Sequence, residues 1–200
     1  MRRLLWTGME ILPAAVVLIP VFWILYETVY QKNWRKSVLH CLFSLYLSAV
    51  FASVGIPNVT YVRFNLNLNW IPLWGMAADF KNSVLNILLF VPLGFLLPLL
   101  WESFRKKRVV VLFGFFMSLI IEILQIFTYR ATDVNDLITN TCGAFAGFLV
   151  ADYAMRKHPA IGDVAGESRT CEFYALWAMA FLVMFFVHPF LSLLIWNRFL

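Results

Sequence analysis

Three short stretches of an otherwise apolar chain carry the side chains able to do chemistry. Ser118, Glu122 and Gln125 recur at helical spacing and so share one narrow helix face, with Gly114 beside it. Asp136, Asn140, Gly143 and Gly147 fall on one face of a second helix, and Asn82 and Asn86 on one face of a third. Between the first two runs Arg130-Ala131-Thr132-Asp133-Val134-Asn135-Asp136, a guanidinium beside two acids. One chemistry open to such a set is anion binding, with Arg130 and two helix N-termini holding a phosphate or carboxylate. A second is acid–base work by Glu122 or Asp133 on a lipid-linked or phosphorylated substrate. A third, oxygen-ligand metal binding by Glu122, Asp133 and Asp136, is poorly supported. The run Asp-x-Asn-Asp is not an EF-hand, and His40, His158 and His188 are scattered far from it. Neither a metal nor a cofactor is expected, and no nucleophile-elbow, Walker or Cys–His signature is present.

A bland reading stands beside these. Thr132 or Asp133 is a good N-cap, and Asp136 would then sit in the first turn, where an acid suits the helix dipole. Capping does not account for Arg130 beside two acids, nor for the polar face continuing to Asn140. Glu122 lies six residues before Thr128, about 9 Å into its helix at ~1.5 Å per residue. A carboxylate at such a depth faces a bundle interior and needs a partner, for which Arg130, Asn86 and Asn140 are the candidates. Whether the set is a ligand pocket or a polar lock between helices stays open at this level.

The elements that must position these groups follow from composition. Of 200 residues, 62% are apolar and only 14% charged, against roughly 25% charged in soluble domains. Such a chain cannot dress a soluble surface, and it is neither disordered nor a disulfide-stapled secreted domain. Its net charge of +5 sits in links between apolar runs, which points to membrane lipids as partners and not to nucleic acid. The reading is an all-α integral membrane protein, a bundle of about six transmembrane helices forming a single membrane domain over 1–200. A first apolar run, Ile11–Tyr26, gives a retained span over about 11–30, loosened near Pro13 and Pro20. Further spans cover about 38–56, 83–101, 109–127, 134–153 and 173–196. Spans three and five begin on the side where span four ends, so all three polar faces lie at one membrane level and can converge. The long link Pro57–Lys81 reads as an interfacial loop or a re-entrant lid over that level. Cys41 and Cys142, within apolar runs, read as buried thiols. Gly143 and Gly147 allow close helix approach inside the bundle.

Three of these stretches also resemble a known family. Asn86-Ile87-Leu88-Leu89-Phe90-Val91-Pro92-Leu93-Gly94-Phe95, then Ser118 to Gln125, then Arg130 to Gly143 match the VanZ-like family in order and spacing, and Asn69-Trp70-Ile71-Pro72 is similar to its Asn-x-Ile-Pro segment. Leu73 stands where that family often has an aromatic, and Asn135 where it usually has an acid. The resemblance implies a VanZ-like core over about 69–150, with the spans at 11–30, 38–56 and 173–196 added to it. It also implies a cell-envelope membrane protein, since the family's namesake lowers susceptibility to the lipoglycopeptide teicoplanin. The expected function is tolerance to such antibiotics, through an outward-facing polar pocket for an amphipathic anionic ligand. A lipid-linked envelope precursor and a lipoglycopeptide are the candidate ligands. A hydrolase or transferase acting on such a precursor, and a non-catalytic scaffold, are the alternatives. The expected pocket comprises Asn82, Asn86, Ser118, Glu122, Gln125, Arg130, Asp133, Asp136 and Asn140.

Ten of the sixteen Lys and Arg residues fall in the links after spans one, three and five, which places those links in the cytoplasm and the polar level on the extracytoplasmic side. A thiol engineered beside Asn135 should therefore react with a membrane-impermeant maleimide on intact cells; protection until the membrane is opened would reverse the orientation.

Overall fold

The structure, a computed structural model, describes residues 2–65, 68–69, 71–72, 80–128, 131–163 and 169–199. Six helical rods account for most of them. They are α1 (Arg2–Thr28), α2 (Trp34–Val54), α3 (Phe80–Leu100), α4 (Lys107–Gln125), α5 (Val134–Lys157), and α6 (Thr170–Leu182) continued through a π turn (Val183–Val187) into α7 (His188–Phe199). The spans expected from the sequence fall on these rods. α1 runs unbroken through Pro13 and Pro20, where a loosened helix was expected. Five of the rods are long and apolar enough to cross a membrane, over Glu10–Thr28, Trp34–Val54, Phe80–Leu100, Lys107–Gln125 and Thr170–Ile195. α5 is the exception in composition, because Asn135, Asp136, Thr139, Asn140, Thr141 and Asp152 dilute its apolar content.

The helix ends are set by local chemistry. Asn33 caps α2 by accepting the Lys36 amide at 3.2 Å, which satisfies one of the donors that a helix start leaves unpaired. At the other end Gly55, at φ 69°, takes the left-handed conformation that closes the helix and that a side chain would resist. Asp133 caps α5, and Arg156 and Lys157 occupy its last turn, opposite the acids of its first.

The chain forms two compact units, Met1–Val62 with Cys171–Leu200, and Arg63–Thr170. In the first, α1, α2 and α6–α7 are joined by polar contacts at both ends. Lys36 Nζ meets Glu172 Oε1 at 2.8 Å, the Ser37 hydroxyl donates to the Phe22 carbonyl at 3.1 Å, and His40 Nδ1 lies 3.0 Å from the Tyr30 hydroxyl. Burial, and then the Glu172 carboxylate, push the Tyr30 phenol well above its ordinary value, so it stays a neutral hydrogen-bonding group. Directly after the π turn, His188 Nε2 lies 2.9 Å from Glu10 Oε2. Between these ends Phe51 packs edge-on to Trp177 and Phe181, which stack on each other.

In the second unit α3 lies directly against α5. A Cβ at Gly143 would collide with the Ile87 carbonyl, one at Gly147 with that of Val91, and one at Gly94 with that of Ala144. The two helices run in the same direction, since 87 meets 143 and 91 meets 147, and small residues let their backbones touch. The glycine pair expected to pack inside the bundle does so. Cys142, expected to be buried, is exposed instead: packing on α3 takes the Gly143–Gly147 face and turns the neighbouring position outward.

Gly143→Ala and Gly147→Ala should each lower the stability of the detergent-solubilised protein by about 1–3 kcal/mol, as overpacking does, whereas Cys142→Ala should stay within ~0.5 kcal/mol. Thermal unfolding followed by circular dichroism reads the difference.

Candidate functional site

The polar groups gather where α4 ends and α5 begins. α4 buries one face, including Gly114, Ser118, Glu122 and Gln125; Glu122 is only 4% exposed and Gln125 2%. Apolar residues of the same helix, Leu112, Phe116, Ile120 and Ile123, face outward. The carboxylate therefore points into the unit and not toward lipid, as the cost of a charged group in hydrocarbon requires.

It has a contact with backbone. Glu122 Oε2 accepts the Asp133 amide at 2.9 Å, and the Thr132 hydroxyl donates to the Glu122 carbonyl at 3.1 Å. The sequence suggested Arg130, Asn86 or Asn140 as partners for this carboxylate; the main-chain amide of Asp133 is a partner it did not suggest, and Arg130 lies outside the described residues. Asp133 in turn accepts the Asn135 amide at 2.8 Å with Oδ1, capping α5, and the Asn69 side-chain amide at 3.1 Å with Oδ2. One turn deeper, Asn140 Nδ2 donates to the Ser118 hydroxyl at 2.9 Å, both side chains buried. Asn140 Oδ1 is also buried and accepts no hydrogen bond among the described residues.

The link before α3 closes over the same end. The Arg63 amide donates to the Phe127 carbonyl at 3.0 Å and the Asn65 amide to Ile126 at 2.7 Å, supplying donors to carbonyls just past the end of α4. The Phe64 ring lies 6.1 Å from that of Phe127. The link then forms β1 (Leu68–Asn69), paired in parallel with β2 (Thr132–Asp133). Residues 63–65 and 68–69 thus lie against the α4–α5 connection, while much of the rest of the link, including 73–79, falls outside the described residues.

Glu122 contacts the Asp133 amide and Ser118 contacts Asn140, with Gln125 buried on the same α4 face as Ser118 and Glu122. Asp136 is half-buried in the first turn of α5, and its carbonyl accepts the Thr139 hydroxyl at 3.2 Å. Asn82 and Asn86 are half-buried on α3. The register that sets Ile87 against Gly143 puts them level with residues just after Leu137 and just before Gly143. Arg130 lies outside the described residues. Three participants escaped sequence reasoning. Asn135 and Thr139 are 5% and 2% exposed, and Thr139 donates to the Asn135 carbonyl at 2.9 Å. Asn69 reaches Asp133 from a distant segment. The signal for Asn69 was its place in the Asn-x-Ile-Pro resemblance; for Asn135 and Thr139, their helical spacing was available.

The described part of the cluster is rich in acceptors: the carboxylates of Glu122, Asp133 and Asp136 and the amide oxygen of Asn140. Groups of this kind accept from hydroxyl and amide donors, whereas holding an anion takes a cation such as a guanidinium. Among the described residues no three His, Cys, Asp or Glu side chains are grouped to hold a metal ion.

The sequence model described as VanZ/LLP1 matches residues 11–155. Protein VanZ of Enterococcus faecium is 38% identical over 74 residues, which are 36% of this chain and 44% of that protein. The chain therefore covers less than half the length of that relative. No solved structure matches the chain.

Glu122→Gln keeps an acceptor for the Asp133 amide and should be nearly neutral in stability. Glu122→Ala leaves that half-buried amide unpaired and should cost about 1–3 kcal/mol, and Asp133→Ala, which removes a cap, about 0.5–2 kcal/mol. Unfolding midpoints for the three variants in one detergent check this order.

Proposed function

The chain belongs to the VanZ/LLP1 family, and from that premise we propose that it lowers susceptibility to lipid-anchored glycopeptides of the teicoplanin type by binding an amphipathic ligand at the extracytoplasmic surface. It is a membrane protein, and in this reading α1 to α5 and the α6–α7 rod each cross the bilayer, with the α4–α5 connection outward. The observation that carries the reading is Asn140: a buried side chain that donates to Ser118 and keeps an acceptor oxygen with no hydrogen bond among the described residues. An unmet buried acceptor is costly, and a donor on a ligand would relieve it. Lipid-linked cell-wall precursors and lipoglycopeptides both present hydroxyl and amide donors beside anionic groups and an acyl tail. In this arrangement the acceptors receive those donors, Arg130 holds the anionic group, and the tail stays in the lipid. The positive-inside distribution of Lys and Arg supports the outward placement.

A scaffold reading is favoured by a different observation. Glu122 already accepts the Asp133 amide, and Asn140 already donates to Ser118; these are contacts that lock α4 to α5 with no ligand.

In cells expressing equal amounts of protein, Asn140→Leu and Arg130→Ala should abolish protection against teicoplanin, while vancomycin, which lacks the acyl tail, should be affected little by either. Unchanged teicoplanin sensitivity in both variants overturns the binding reading. Loss of protection that tracks loss of thermal stability across the cluster selects the scaffold.

A further inference from the structure

We propose that the groove between α1 and α2 seats one acyl chain of an anionic phospholipid, with the lipid phosphate against Arg35. The groove encloses about 340 Å³ and is lined along α1 by Ile19, Trp23 and Tyr26 and along α2 by Trp34, Val38 and Cys41. Each set recurs at three and four residues, so each helix offers one continuous stripe. Both stripes lie in helices long and apolar enough to cross a membrane.

Its depth matches one leaflet. From Thr28, where α1 ends, down to Ile19 is nine residues, about 14 Å at ~1.5 Å per residue. From Trp34, where α2 begins, down to Cys41 is seven residues, about 10 Å on the same rise. Half of a hydrocarbon core about 30 Å thick is ~15 Å, so the floor of the groove reaches toward the bilayer centre. An occupant must be apolar along this length. Trp23, Tyr26 and Trp34 set the rim in the layer that amphipathic rings prefer.

The charge at the rim selects the headgroup. Lys36 is turned inward to Glu172 at 2.8 Å, and Lys32 faces Glu27 at 3.7 Å across an exposed surface. Arg35 is exposed, stacks over the Trp34 ring at 5.7 Å, and has no acidic partner among the described residues. It sits in the first turn of α2, where the helix dipole adds positive potential. A cation that no acid neutralises, fixed on the aromatic wall of a leaflet-deep apolar groove, complements a negatively charged head on an acyl tail. A protein segment in the groove would have to satisfy its own backbone within hydrocarbon, and a zwitterionic lipid brings its own cation beside its phosphate, so Arg35 favours a head of net negative charge.

The test is photo-crosslinking. The full chain is reconstituted in phosphatidylcholine vesicles with a trace of phosphatidylglycerol bearing a mid-chain diazirine, and adducts are mapped by peptide mass spectrometry. Adducts are expected within Ile19–Trp23 and Val38–Cys41, and unlabelled phosphatidylglycerol should compete for them more strongly than phosphatidylcholine. Arg35→Gln, a surface change, should reduce the headgroup preference about fivefold, the worth of one basic residue at an anionic surface. Val38→Trp, which fills the groove, should remove the adducts while those at exposed Leu88 and Leu112 persist. Groove adducts that ignore the headgroup, an Arg35→Gln preference equal to the unaltered chain's, or labelling no denser in the groove than at Leu88 and Leu112 would each overturn the proposal.

Discussion

A buried carboxylate on an apolar helix has to be answered by donors, and in this protein the main chain supplies one. Glu122 Oε2 accepts the Asp133 amide at 2.9 Å, which ties the last turns of α4 to the first residue of α5. A carboxylate at depth needs donors, and the amide would otherwise be one of the unpaired donors at a helix start. Their union fixes where the chain turns, and other polar contacts around it follow. With the turn fixed, Asp133 can cap α5 with one carboxylate oxygen and receive Asn69 with the other. Asn140, two turns into α5, comes level with Ser118 on the antiparallel α4.

An adjoining strip of the same α5 face has a different task. Gly143 and Gly147 bring its backbone against α3, so the helix is held by close backbone packing on one side and by polar contacts on another. This explains how the least apolar of the long helices keeps its place. Its polar residues are spent on α4 and on its own first turns, its glycines on α3, and Cys142, Phe145 and Leu149 are left outward. A helix partnered in this way does not need the apolar content of a helix that faces lipid all round.

The unit built from α1, α2 and α6–α7 follows a different pattern. Its polar contacts lie toward the helix ends, with Lys36–Glu172 at one and Glu10–His188 after the π turn at the other, and aromatic rings fill the space between.

Much of this was legible in the residues themselves. Apolar runs of membrane-spanning length gave the rods, because ~20 apolar residues have few other stable states. Helical spacing put Ser118, Glu122 and Gln125 on one buried face, and the capping preference of Asp133 marked the start of α5. The Glu122 contact was not legible, because every residue carries an amide and sequence does not say which one a carboxylate will meet. Nor was the reach of Asn69 to Asp133, 64 positions apart in the chain, or the outward turn of Cys142, since apolar neighbours in sequence do not reveal which side a packed helix shows to its partner. The sequence by itself thus determined which segments are helices and which of their faces are polar, for these depend on period and composition alone. Tertiary structure decided which polar groups are partners and which cysteine is covered, because those depend on register and rotation between helices, and here register is set by backbone contact at glycines that offer no side chain to read.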